Sequence, residues 1–176
     1  MAMTKPLLTL VLATFATTLA AAPLPPGQKP VPVTLQGDDG GQINGTPWSS
    51  SMIKDKVWVL FYVDPDKRDT NEAMEAALKK ANLPSDKFSS IAVINMAATW
   101  LPNAVIASSL KAKQEKYPDV VYVKDLDKVL VKKWKLTDDE YDVMVFDKQG
   151  KVVYSKDGTL DQTATQSLLA TIRKNL

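Results

Sequence analysis

The residues with the most chemical potential lie in one short stretch. Asp64, Asp66, Asp69 and Glu72 surround Arg68 and Thr70, directly after the apolar run Val57–Val63 (VWVLFYV). Apolar residues in succession without alternation predict a strand covered on both faces, as in the middle of a largely parallel α/β sheet. Sheets of that kind hold ligands at the carboxyl ends of their strands, where a following helix N-terminus offers free amides and a positive field. An anion or a partner's carboxylate suits such a place, and the Arg68 guanidinium adds a bidentate donor. The competing structural reading makes Asp69 the cap of the next helix, with Glu72 as its partner, so that those amides are already used.

Composition removes several other chemistries. The chain has no cysteine and no histidine, which excludes thiol redox catalysis, Ser-His-Asp and Cys-His mechanisms, and zinc or copper held by thiolate or imidazole. The acids at 64, 66, 69 and 72 could in principle bind a hard cation, but their spacing is not that of an EF-hand, and Pro65 and Lys67 interrupt it. No metal and no cofactor is assigned. A hydrolase or transferase built on Asp66, Asp69 and Asp142 is the enzymatic alternative; it needs one carboxyl raised by burial beside one left ionised. A further candidate is the loop 96–103, where Trp100 either walls the neighbouring acidic loop or plugs the core beneath it, and Asn103 opens a helix. Trp48, Trp58 and Trp134 read as structural, and the scattered Met52, Met74, Met96 and Met144 as core filler.

These residues must be positioned by the surrounding elements. A helix from about Thr70 carries Ala73, Met74, Ala77, Leu78 and Ala81 on one stripe and ends near Asn82. A second buried strand lies within 88–95. Pro102-Asn103 opens another helix, with Val105, Ile106, Leu110 and Tyr117 facing inward and Pro118 as its stop. Residues 120–123 (VVYV) form a short strand. The segment 126–136 fits a strand or a helix, and its lysines favour the helix. Residues 143–146, the turn Asp147-Lys148-Gln149-Gly150 and residues 151–154 predict a hairpin. Asp161 caps a last helix bearing Ala164, Leu168, Ile172 and Leu176. Ahead of all this, the alternating 31–35 and the turn Asp38-Asp39-Gly40-Gly41 predict a hairpin with Gln42-Ile43. Asn44-Gly45-Thr46 matches a glycosylation sequon, which the turn context explains without a sugar.

The N-terminus predicts export. Lys5 precedes the apolar run 7–19, and Ala20-Ala21-Ala22 offers a small-residue cleavage zone, so residues 1–21 read as a signal peptide. That run is too short to persist as a membrane anchor. Residues 22–30 form a Pro-rich linker, extended and poorly ordered, and residues 31–176 one domain. Localisation is then the periplasm. With 22 basic and 20 acidic residues the net charge is +2, which offers no footprint for nucleic acid. The expected partner is a periplasmic protein or a small anion.

The order of elements, with the strand VWVLFYV, the segment Pro118-Asp119-Val120-Val121-Tyr122-Val123-Lys124-Asp125 and the run Phe146-Asp147-Lys148-Gln149-Gly150-Lys151-Val152-Val153, resembles the redoxin branch of the thioredoxin-like superfamily over residues 31–176. More closely, Ala98-Thr99-Trp100-Leu101-Pro102-Asn103, Ile106-Ala107-Ser108-Ser109-Leu110-Lys111 and Tyr141-Asp142-Val143-Met144-Val145-Phe146-Asp147 are similar to the YtfJ family of exported proteins. The resemblance implies a thioredoxin-like α/β fold, a central mixed sheet flanked by helices with an N-terminal β-hairpin, and export from a Gram-negative bacterium. It places the redox pair of an active thioredoxin near Asp66 and Asp69, a peroxidatic cysteine near Thr70, and the cis-proline position at about Tyr141, where a trans peptide is expected. A scaffold of this kind without its thiols is expected to be a binding or interaction module, its edge formed by Asp66, Arg68, Asp69, Thr70, Trp100, Asn103, Tyr141 and Asp142.

Overall fold

In the computed structural model, which describes residues 24–176, the apolar runs assemble into a six-stranded mixed sheet and a small two-stranded one. The small sheet pairs β1 (Thr34–Leu35) with β3 (Trp48–Ser49). The large sheet has the order β2 (Gly40–Gln42), β6 (Val120–Asp125), β5 (Phe88–Asn95), β4 (Val57–Val63), β7 (Tyr141–Phe146), β8 (Val152–Lys156). β4 runs parallel to β5 on one side and antiparallel to β7 on the other. All its residues are buried, as the unbroken apolar run requires.

Alternation along β4 separates two cores. Val57, Val59, Phe61 and Val63 face one way, toward residues of α1 (Glu72–Lys80), α2 (Asn103–Lys116) and α4 (Gln162–Asn175). Trp58, Leu60 and Tyr62 face the other way, toward α3 (Val129–Trp134) and the N-terminal segment. The crossovers β4-α1-β5 and β5-α2-β6 step in the same direction across the sheet. Connections of one hand therefore put α1 and α2 side by side on the first face.

Four local expectations are corrected. The antiparallel pair expected at the N-terminus is present, but its second strand is not 42–43: a 3₁₀ turn at Gly37–Asp39 carries the chain to the edge of the large sheet, where β2 pairs with β6, while β1 finds its antiparallel partner in β3. Burial drives the exchange, because Leu35 opposite Trp48 places two fully buried side chains together. Gly40, at φ +124, admits a backbone approach so close that a Cβ there would lie 1.9 Å from the Lys124 carbonyl oxygen. The described part of the Pro-rich linker is docked: Gly27 N–H donates to Val152 O at 2.7 Å and Val152 N–H to Gln28 O at 2.9 Å. Val105 is 57% exposed instead of inward, because the phase that buries Ile106 and Leu110 turns it to the flank. The helical reading of 126–136 holds only for Val129–Trp134, where Lys128 and Lys135, both left-handed, bound it. The export leader at 1–21 lies outside the described residues. No helix among them is long and apolar enough to cross a membrane.

Candidate functional site

The carboxyl end of β4 is organised by Asp64, which is itself buried. Its Oδ1 accepts the Asp66 N–H at 2.8 Å, capping a 3₁₀ turn at Pro65–Lys67, and its own N–H donates to Glu140 O at 3.0 Å. Burial pushes the Asp64 carboxyl above its ordinary value, and the Asp66 amide partly offsets this. The 3₁₀ turn delays the helix, so the expectation that Asp69 caps it is overturned. α1 begins at Glu72 with Asn71 in the cap position, while Asp69 is exposed and meets Arg68 Nε at 3.6 Å.

The Asn71 side chain caps nothing locally because it is committed elsewhere. It is buried, donates from Nδ2 to Gly158 O at 3.0 Å and accepts the Leu160 N–H at 2.8 Å, tying the start of α1 to the chain entering α4. Asn71→Ala strands one donor and one acceptor in the interior, and is expected to cost about 2 kcal/mol of stability, read as a lowered urea midpoint with unchanged slope.

Asp66 reaches the second loop. The Thr99 hydroxyl donates to Asp66 Oδ1 at 3.2 Å and accepts the Leu101 N–H at 3.3 Å. Between those anchors Trp100 stands 86% exposed, so it is not a plug in the core. Asn103 is exposed at the start of α2, and Thr70 is half-buried. Arg68 touches Asp69 through Nε alone, which leaves its terminal amino groups unengaged by that contact.

Tyr141 and Asp142 do not act together, because successive strand residues face opposite sides of a sheet. Tyr141 lies on the first face, edge-on to Phe61 at 6.0 Å, and its hydroxyl donates to Glu75 Oε1 at 2.5 Å. Burial, then Glu75, raises its pKa, so it remains a neutral donor. It borders a groove of about 1030 Å³ between α1 and α2, floored by Phe61, Ala92, Ile94 and Tyr122. Arg68 and Leu101 stand at the carboxyl end of that groove; Lys79, Lys113, Lys116 and Tyr117 stand at the other end. Burial, with Glu75 and Tyr117 nearby, pushes the Tyr122 phenol up to about 12.

Asp142 sits on the second face opposite Tyr62, with no solvent exposure and no hydrogen bond to either carboxylate oxygen. Burial, reinforced by Asp157, raises its carboxyl to about 7; Thr137 approaches closely enough to lower it a little but outside hydrogen-bond geometry. The Tyr62 hydroxyl is turned to Asp125 Oδ2 at 3.1 Å. Asp125 in turn accepts the amides of Val129 and Leu130 at 2.8 and 3.0 Å. Asp66 and Asp69 are exposed at the edge while Asp142 is sealed beneath the other face, so the trio of the enzymatic alternative is not brought together. Among the described residues no cluster of acids could hold a metal ion.

Sequence reasoning missed Thr99, Asn71, Glu75 and the lysines of the groove. Strand alternation was the one signal in the sequence that could have separated Tyr141 from Asp142; nothing there points Lys79 toward Lys116.

Residues 32–175 match the family described as "Bacterial protein of unknown function (YtfJ_HI0045)". The chain belongs to this family. Escherichia coli K12 "Uncharacterized protein YtfJ" is 27% identical over 154 residues, covering 84% of this chain and 83% of that protein. The fold is thioredoxin-like. The thioredoxin domain of a thiol-disulfide oxidoreductase from Bacteroides vulgatus superposes with a TM-score of 0.60 at 14% identity, covering 85% of this chain and 99% of that one. An exposed lipoprotein thioredoxin of Streptococcus pneumoniae gives 0.54 at 16% identity, covering 80% and 98%. This YtfJ family member therefore has the scaffold of thiol oxidoreductases with no thiol in it.

Proposed function

We propose that the protein is exported to the periplasm and works as a non-catalytic binding module, engaging a partner protein at the carboxyl edge of its sheet. The single observation that carries this reading is the joined pair of loops: the Thr99–Asp66 hydrogen bond holds 64–70 against 96–103 and presents Trp100 at 86% exposure on that edge. Trp and Arg are the residue types that most often dominate binding energy at interfaces. A partner offering an apolar side chain to Trp100 and a carboxylate to Arg68 would use both. The Arg68–Asp69 contact presents little obstacle, since exposed pairs are worth about 0–1 kcal/mol. Export rests on the leader at 1–21, and cysteine-free binding on the absence of any thiol at Asp66, Asp69 and Thr70.

Arg68→Ala with Trp100→Ala, used as bait against periplasmic extract beside the unaltered protein, is expected to lose at least tenfold in capture of its principal partner. Both residues are exposed, so the fold is expected to survive. Capture that does not change would remove this edge from the function.

A further inference from the structure

The groove between α1 and α2 has ends of different chemistry. At one end the ammonium groups of Lys79, from α1, and Lys116, from α2, both lie 5.3 Å from the centre of the Tyr117 ring. Lys113 lines the same end. Among the described residues none of the three has a carboxylate within ion-pair distance; the ion pairs there involve Arg68, Lys128 and Lys132. The contacts of Lys79 and Lys116 with the Tyr117 ring are both cation-π contacts, and they place two cations without carboxylate partners, one from each helix, beside one ring, where an anion would find both.

The lysines also complement the C-terminal ends of the two helices. The Tyr117 ring accounts for where the two ammonium groups rest, and neither interaction supplies the negative charge that the pair leaves unmatched. Toward the other end Leu101 and the 57% exposed Val105 offer apolar surface, with Arg68 and Glu72 at its mouth. The floor from Phe88 through Ser90 and Ala92 to Ile94 runs for six strand steps, roughly 20 Å, the span of an extended chain of about sixteen carbons. A volume of about 1030 Å³ stands at the top of the ordinary range for small-molecule sites, about 300–1,000 Å³.

We propose that this groove binds a single-chain anionic amphiphile, its headgroup between Lys79 and Lys116 and its chain laid along the floor toward Leu101 and Val105. Arg68 borders both this groove and the partner-binding edge, but the headgroup site lies at the lysine end, where neither Arg68 nor Trp100 takes part. Carboxylate and phosphate headgroups share the chemistry required.

Calorimetric titration of the purified protein with hexadecanoate and with hexadecyl phosphate, each below its micellar concentration, tests the proposal, with hexadecanol and butyrate as controls. Saturable binding of at least one C16 anion is expected, with hexadecanol and butyrate at least tenfold weaker. Preference for one anion identifies the headgroup. Lys79→Gln with Lys116→Gln is expected to weaken the anion at least tenfold, and Ser109→Trp, which fills the groove from the exposed face of α2, to weaken it comparably. Lys133→Gln, on the opposite side of the sheet, is expected to leave it unchanged. No binding of either anion, hexadecanol binding as tightly as they do, or full affinity in the double lysine variant would overturn the proposal. Such a failure would leave the edge reading standing, because that one is tested by protein capture through Arg68 and Trp100.

Discussion

Replacing Asp142 by Asn is expected to stabilise the protein by about 2–4 kcal/mol at pH 8 and, at pH 4, to leave it between unchanged and about 2 kcal/mol less stable. In the native chain this carboxyl is fully buried, has no hydrogen-bond partner and is raised to about 7, first by burial and then by Asp157. Unfolded, it releases its proton near 3.8, the ordinary aspartate value. Between those two values the folded state holds the extra proton, so stability is fully present below about pH 4, falls as pH rises, and levels off above about pH 7. About three pKa units correspond to roughly 4 kcal/mol, and the buried amide of Asn returns part of it, having no better partners than the acid. Urea midpoints measured from pH 4.5 to 8.5 should slope downward for the native chain and lie flatter for Asp142→Asn. Parallel slopes would show that another group carries the pH dependence.

Asp142 also bears on function. A carboxyl near 7 is what a general acid would offer, but a general acid must touch a substrate. This one lies on a face where Tyr62, Met144 and the strands beside it exclude solvent, on the opposite side of the sheet from the groove. Its raised value is a cost of folding at neutral pH and gives no support to a hydrolase.

The fold was legible where burial alone decides the pattern. An apolar run without alternation can only be covered on both sides, and Val57–Val63 is. The 143–154 hairpin announced its turn, and Asp161 caps the last helix as its position predicts, accepting the Ala164 N–H at 2.7 Å. The site was less legible because its residues are set by contacts distant in sequence. Asp69 had every local mark of a cap, yet Pro65 first took the chain through a 3₁₀ turn, and the cap position fell to Asn71, whose partners lie 87 and 89 residues away. Trp100 looked like a core residue because tryptophan usually is one. The two hydrogen bonds of Thr99 instead hold its neighbour at the surface, at the edge facing Asp66. The convergence of Lys79 with Lys116 depends on two crossovers lying on one face, which helix periodicity does not report.

Trp134→Ala is expected to be the most damaging single change, costing about 3–5 kcal/mol. Trp134 is 2% exposed at the end of the short helix α3, edge-on to Trp48 at 6.4 Å and tilted against Phe146 at 6.1 Å. Its indole N–H donates to Val31 O at 2.8 Å. One side chain therefore fastens the N-terminal segment, the small β1–β3 sheet and the centre of the second core. α3 has only six residues, too few to hold its shape without packing. Removing the ring leaves a cavity against Trp48, whose own indole N–H is already buried without a partner. Trp134→Phe keeps most of the volume and loses the bond to Val31, for an expected cost of about 1–2 kcal/mol. Urea unfolding of both variants separates the contributions: if Phe proves as damaging as Ala, the hydrogen bond to the N-terminal strap dominates, and the packing account of this face fails.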